Sequence, residues 1–491
     1  MMARVVFVAL FLAVSALGFW AARWRRPATL AALEEWGLGG RGFGVWITWF
    51  LIGGDFYTAY TVIAVPALVY ATGALGFFAL PYATLLYPFA YVVLPLLWRR
   101  AAAAGHVTAG DLVRGRFRSR GLEAAIAVTG IVATMPYIAL QLVGMQAAIR
   151  ALGIGGDLPL IAAFLILALY TYSAGLRAPA LIAFVKDLMI WIVVAAALAL
   201  VPLRFGGYAH VFAAAGAVLR AHGHPGSGLL LAPGQALPYA TLAVGSALAA
   251  FLYPHTFTAV LAANSEETLR RNAMLLPAYN VVLGLLALLG YVAYAAGVHP
   301  ASATGVVPAL FTSLFPGWFA GFALSAIAIG ALVPAAVMSI GAANLFTRNL
   351  YMPWVRPAAD PARQAAAARL ASLVVKLGAL LAIVFLPTRF AIDLQLLGGV
   401  WVLQTLPSVL LSLSAWAPGH KPLLAGWVVG MALGSSMAFS GGLRPVHVFA
   451  VGGHGFGVYI GLIALVANLA VVGIGAVLGG AALPLRRAGT T

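Results

Sequence analysis

The chain has 491 residues, of which 63% are hydrophobic and only 8% charged, with a mean hydropathy of +1.02. No soluble globule can hide that much apolar surface, so the composition is that of an integral membrane protein. The absence of cysteine excludes disulfides and thiolate metal sites, and the net charge of +17 has to be weighed against membrane orientation before any nucleic-acid role is read into it.

A spanning helix takes about 20 apolar residues, and thirteen such runs are expected, near 2–22, 43–70, 76–98, 122–148, 159–176, 180–201, 237–262, 273–297, 317–346, 370–387, 391–416, 422–439 and 455–479. They are continuous and do not alternate with period two, which excludes a barrel. The first carries its charges, Arg23-Trp24-Arg25-Arg26, after the apolar run and not before it, so it is expected to be a retained helix and not a cleaved signal. The longest interruptions, near 99–121, 204–236 and 347–369, leave no room for a soluble domain of useful size. Residues 1–491 therefore read as one membrane domain, with an extra N-terminal helix and inner loop over 1–42, a core over 43–416, and two C-terminal helices with a tail over 417–491.

Charge sets the orientation. With the N-terminus outside, only Arg4, Arg150, Arg204, Arg220, Arg389 and Arg444 fall outside, and the other 22 Lys and Arg residues, Lys186 and Lys376 among them, fall in inner loops. That bias satisfies the positive-inside rule, makes nucleic acid an unnecessary partner and predicts a cytoplasmic C-terminus in the cell inner (plasma) membrane. The run Arg114-Gly115-Arg116-Phe117-Arg118-Ser119-Arg120 is either an orientation signal or a contact for anionic lipid headgroups, at about 1 kcal/mol per basic residue. No obligate protein partner is evident. His222 and His224, among Gly and Pro in an outer loop, read as solvated loop residues and not as a metal site.

The second run is broken by Gly53-Gly54-Asp55. On this map Asp55 is the sole carboxylate deep in a span, with Asp187 near an inner end. A charge at the bilayer centre costs at least about 2.5 kcal/mol on insertion scales, so its default reading is functional; the rival is an Asp that caps a half-helix. The fourth run places Tyr137 and Gln141 at i, i+4 on one face, lining a cavity or bonding a neighbouring helix. The seventh is interrupted by Tyr253-Pro254-His255, at a similar depth to the first break, and paired interruptions of this kind point to a transporter's binding site. The two broken runs begin five segments apart and run in opposite directions, so 43–201 and 237–416 would form an inverted repeat. In the ninth run Pro334 leaves the Gly330 carbonyl under-satisfied, and Ser339 either ligates a cation or bonds its own backbone. Trp401 and Gln404 in the eleventh are candidates to join a cavity or to pack.

Four stretches in order carry a resemblance: Gly39-Gly40-Arg41 ahead of the first break; Tyr170-Thr171-Tyr172-Ser173-Ala174-Gly175-Leu176-Arg177-Ala178 followed by Asp187; Tyr253-Pro254-His255 followed by Arg270-Arg271-Asn272; and Ala335-Ala336-Val337-Met338-Ser339. Together they resemble the sodium:solute symporters over most of the chain. Gly53-Gly54-Asp55-Phe56-Tyr57-Thr58-Ala59-Tyr60-Thr61 and Ile340-Gly341-Ala342-Ala343-Asn344-Leu345-Phe346-Thr347-Arg348-Asn349 look most like the bacterial monocarboxylate permease branch.

The resemblance implies an all-α membrane fold with a LeuT-type five-plus-five inverted-repeat core, one extra N-terminal helix and two extra C-terminal helices. It implies a sodium site at Gly53, Phe56, Ala336 and Ser339, where Ile340 stands in place of the second hydroxyl common in the family. Proton coupling through Asp55 is the alternative to sodium. Asp187 would help the ion leave toward the cytoplasm, unless it is simply paired with Lys186. Thr58, Tyr137, Gln141, Tyr253 and His255 are the candidates for the solute, and a monocarboxylate would suit half-helix N-termini, which attract anions without a buried arginine. The expected activity is secondary active import of a small organic anion by alternating access, with no cofactor beyond the coupling ion. The rivals are a proton-coupled carrier of another small metabolite and a solute sensor built on the same core. No span pairs a nucleophile with a base, so an enzyme is not expected.

Overall fold

The computed structural model describes residues 1–24, 32–54, 57–222, 228–385, 391–416, 418–452 and 454–479. In chain order the first helices are α1 (Met2–Trp20), α2 (Leu33–Leu38), α3 (Val45–Gly54), α4 (Val65–Thr72), α5 (Ala79–Ala103), α6 (Ala109–Phe117), α7 (Arg120–Ala151) and α8 (Leu158–Ala174). Next come α9 (Arg177–Phe205), α10 (Tyr208–His222), α11 (Ala236–Ala250), α12 (Pro254–Leu261), α13 (Glu266–Leu275), α14 (Pro277–Ala295), α15 (Val306–Leu314) and α16 (Gly317–Leu345). The chain closes with α17 (Met352–Trp354), α18 (Pro361–Phe385), α19 (Ala391–Val402), α20 (Leu406–Ser412), α21 (His420–Ser440), an antiparallel hairpin of β1 (Val446–Val451) and β2 (His454–Tyr459), and α22 (Ile460–Leu478).

Among the described residues ten helices are long and apolar enough to cross a membrane, or eleven if the bent pair α11 and α12 forms one span. Two of the thirteen expected runs appear only as shorter apolar helices. The run near 43–70 is split into α3 and Tyr60–Thr72, the latter entered through the π turn Tyr60–Ala64, and the run near 159–176 is the 17-residue α8.

Three connections hold structure that hydropathy did not reveal. The stretch 204–236, expected to lie outside, contains α10. Past α16 the chain continues through the π turn Phe346–Tyr351 into α17, and α18 opens at Pro361, ahead of the expected 370. The last run begins as a strand, because β2 pairs Tyr459 with Val446 before α22 starts at Ile460.

The helix contacts come in matched pairs, as a repeat of five helices requires. The broken first span of each half meets the last helix of its own half, α3 against α9 and α11 against α19. The third helix of each half meets the last of the other, α7 against α19 and α16 against α9. The second part of each broken span meets the second helix of the other half, α4 against α14 and α12 against α5. Around this core, α1 packs on α16, α9 and α8, while α21 and α22 pack on each other and on α19.

At the centre lies α16, buried on all sides. Its small residues allow this, since a Cβ on Gly341 would stand 2.7 Å from the Pro254 carbonyl group, so α12 crosses there backbone against helix.

Candidate functional site

Where α3 stops, its last carbonyls have no intrahelical partner, and α9 supplies one. The Lys186 ammonium donates to the Gly54 and Tyr57 carbonyls, both at 2.8 Å, and pairs with the Asp187 carboxylate at 3.0 Å. Two of the ammonium's three donors are used on the carbonyls, and the carboxylate meets it as an ion pair. A cation is also what the C-terminal end of a helix dipole favours. From α14, the Tyr279 hydroxyl donates to the other oxygen of Asp187 at 2.6 Å. Lys186 and Asp187 are both 0% exposed.

This arrangement corrects two expectations. Asp187 is not near an inner end, because it lies ten residues beyond Arg177 at the start of α9, roughly 15 Å along the helix; Asp55 is therefore not the only deep carboxylate. Lys186, and likewise Lys376 of α18, are buried within spans and do not belong to the inner loops. Asp55 and Phe56 fall outside the described residues. The pairing of Asp187 with Lys186, left open by the sequence, is present.

The glycines of the break serve close approach. A Cβ on Gly53 would run into the Tyr279 ring, and one on Gly54 would stand 3.2 Å from the Lys186 nitrogen. Tyr57 and Trp49 close the same corner, with ring centres 4.4 and 4.9 Å from that of Tyr279.

Across the break the chain restarts with free N–H groups, and two residues expected to meet the solute satisfy them. The Thr58 hydroxyl accepts from the Tyr60 N–H at 3.0 Å, and the Gln141 side-chain oxygen accepts from the Ala59 N–H at 2.9 Å while its amide donates to the Tyr137 carbonyl at 3.3 Å. Both side chains are buried. Gln141→Leu would strand the Ala59 N–H, and a buried unsatisfied donor costs about 1–3 kcal/mol. The purified variant is expected to melt below the wild type, and an unchanged melting temperature would show that Gln141 does not hold the break.

The second break bends α11 against α12 by 48°. Pro254 occupies the first turn of α12, where its missing N–H is one that no helix partner would use, so it opens a half-helix and does not kink a continuous one. Tyr253 precedes it and donates its hydroxyl to the Gln395 carbonyl at 3.1 Å. The rings of Tyr137, Tyr253 and His255 lie with centres 5.2 to 5.5 Å apart. With Ser246, Thr256 and Gln395 they line a cavity of about 40 Å³, room for a few waters and too little for a solute. His255 Nδ1 and the Gln395 side-chain oxygen are buried there without a hydrogen-bond partner among the described residues.

Three of the five solute candidates, Tyr137, Tyr253 and His255, are thus gathered at one cavity, while Thr58 and Gln141 brace the facing break. Trp401 and Gln404 turn elsewhere. Trp401 donates to Ser435 of α21, and Gln404 bonds Val400, Gly461 and Asn468 beside α22.

On α16 the Ser339 hydroxyl donates to the Ala336 carbonyl at 2.7 Å, the backbone bond that the sequence kept as its rival reading. Ser372 of α18 donates to Ser339 at 3.1 Å, and Lys376 donates to Ser372 at 2.7 Å. Ile340 beside them is 0% exposed and offers no side-chain oxygen. The Lys376 chain was missed, although Lys376 is the only charged residue in the run 370–387 and that isolation was visible.

The end of the bundle that carries Arg114–Arg120 is tied shut by the conspicuous sequence motifs. Arg177 donates to the Glu35 carboxylate and carbonyl, each at 2.7 Å, and Arg41 reaches Glu34 and the His106 carbonyl. Asn349 donates to Asp111 at 3.0 Å and to Glu123 at 2.9 Å, and Arg348 donates to Asp111 at 3.2 Å. Phe43 pairs its backbone with Ala262 and Asn264, joining the approach to α3 with the end of α12.

Comparison with known proteins places these features. The family model of the sodium:solute symporter family matches residues 36–416. A monocarboxylate transport permease protein of Rhizobium johnstonii is 61% identical over 96% of this chain and 95% of its own length. An uncharacterized symporter of Bacillus subtilis, YodF, is 32% identical over 94% and 90%. Among solved structures, a Na+-coupled sialic acid symporter in a substrate-bound outward-open state covers 99% of both chains with a TM-score of 0.80 at 13% identity, which establishes the fold.

Proposed function

The chain belongs to the sodium:solute symporter family, and from that membership we propose that this multi-pass membrane transporter imports a small monocarboxylate in symport with sodium. The observation that carries the reading is the meeting of two broken helices, α3/α4 and α11/α12, beside a mainly apolar cavity lined by His255, whose buried Nδ1 has no hydrogen-bond partner among the described residues. Half-helix N-termini and a histidine N–H suit a carboxylate, and the surrounding tyrosine rings suit its short apolar tail.

In this reading Tyr137, Tyr253 and His255 touch the solute, and Thr58 and Gln141 hold the wall on which it rests. Gly53, Phe56, Ala336 and Ser339 supply oxygens to sodium, with Asp55 and Asp187 as the carboxylates that accompany it. The cavity has to widen before a solute fits, and the tied end of the bundle has to open before the solute leaves, which is alternating access. The N-terminus lies outside and the Arg114–Arg120 end faces the cytoplasm, as the charge distribution asks.

Counterflow tests this without any ion gradient. Proteoliposomes preloaded with an unlabelled short-chain monocarboxylate should take up the labelled acid, and those preloaded with the corresponding uncharged amide should not. Equal exchange from both, or exchange from neither, sinks the reading.

A further inference from the structure

We infer that the Lys186 ammonium is a tethered cation that competes with the coupling ion for the carbonyls of the first helix break. The inference rests on the symport reading and adds a resident competitor to it. The ammonium reaches from α9 to the Gly54 and Tyr57 carbonyls at 2.8 Å, the backbone of the very segment where a cation would be bound. The groups expected to complete an ion site from α16 are meanwhile bonded to one another, the Ser339 hydroxyl to the Ala336 carbonyl. Ile340 adds nothing in their place. Among the described residues, the Gly54, Tyr57 and Ala336 carbonyls are therefore each hydrogen-bonded internally, with an ammonium standing as the cation.

The proposed sodium ligands Gly53 and Phe56 each adjoin a residue whose carbonyl holds the ammonium, Gly54 and Tyr57, and two positive charges that close repel strongly in a medium that screens them poorly, so a sodium ion enters this break only as the ammonium withdraws. Asp187 gives it a place to go. The carboxylate already holds the ammonium at 3.0 Å and is itself anchored through its other oxygen by Tyr279 at 2.6 Å. The ammonium can leave the carbonyls without leaving its counter-ion. Gly54 keeps that path open, because a side chain there would begin 3.2 Å from the ammonium. When the ion departs, the ammonium returns to the Gly54 and Tyr57 carbonyls, so these two are not left unsatisfied in the membrane interior.

The test is a sodium titration of the purified full chain in detergent, read by thermal stabilisation and by binding of radioactive sodium, with potassium and choline as controls. Lys186→Met removes the competitor, and its apparent sodium affinity is expected to rise about tenfold or more, a change of about 1.4 kcal/mol. Lys186→Gln keeps a donor for one carbonyl and should shift in the same direction by less; it carries the test if the methionine variant does not fold. Sodium affinity that is unchanged or weaker in the variants overturns the inference. Monocarboxylate uptake by the wild type, measured on the same preparation, separates the two ideas. Uptake without the affinity shift removes the competitor alone, whereas a wild type that moves no monocarboxylate removes the symport reading and leaves the sodium titration to stand on its own.

Discussion

Asp187→Asn is expected to abolish ion-driven uptake and to lower the melting temperature of the purified protein. The substitution keeps the size of the side chain and can keep the contact with Tyr279, but it removes the negative charge beside Lys186. Both residues are fully buried, and breaking a buried ion pair from one side costs about 3–5 kcal/mol, because the remaining charge is left without compensation.

The double variant Asp187→Asn with Lys186→Met sharpens the prediction. Replacing both charges of a buried pair is often neutral or stabilising by about 1–4 kcal/mol, so the melting temperature should recover while uptake stays absent. A single Asp187→Asn protein with wild-type stability and uptake would contradict the pairing and its role.

Gly53→Val is the second large effect. Its side chain would enter the space filled by the Tyr279 ring, and overpacking of this kind typically costs about 1–3 kcal/mol. The functional loss should exceed the loss of stability, because Tyr279 cannot move without releasing Asp187. Gly54→Ala is the control. Its Cβ would sit 3.2 Å from the Lys186 nitrogen and 3.7 Å from the Ala183 Cβ, contacts that a flexible lysine end can relieve. Uptake rates should therefore fall to near background for Gly53→Val and remain measurable for Gly54→Ala. Equal uptake from the two variants would show that the approach of Tyr279 is not what requires glycine at 53.

The architecture was legible because a bilayer imposes simple demands. Runs of about 20 apolar residues mark spans, and the interruptions at Gly53-Gly54 and at Pro254 weaken a spanning helix at two matching places, so they announced the paired breaks. The i, i+4 spacing of Tyr137 and Gln141 correctly put them on one face. It could not tell that Gln141 would spend its oxygen on the Ala59 N–H, because that depends on how α4 approaches α7. The adjacency of Lys186 and Asp187 suggested a pair, but nothing local says that the lysine also reaches carbonyls 132 and 129 residues earlier in the chain.

Glycine misled for a related reason. Gly53 and Gly54 read as helix-weakening residues, and only the packed structure reveals the ring and the ammonium that they admit. The β1–β2 hairpin was hidden because most of β2 falls inside the apolar run 455–479, while Val446–Val451 is too short to be read as a span. Charge counting by segment placed Lys186 and Lys376 in loops. Their burial follows from the partners that three-dimensional packing supplies, the break carbonyls with Asp187 for one and Ser372 for the other.

A sodium gradient is expected to drive a monocarboxylate through the paired breaks. The most direct test is uptake of labelled short-chain monocarboxylates into proteoliposomes, with inward sodium and inward proton gradients imposed separately. Accumulation above equilibrium is expected under the sodium gradient, with collapse of that accumulation when the gradient is dissipated. Accumulation under the proton gradient alone, or under neither gradient, would overturn sodium-driven import.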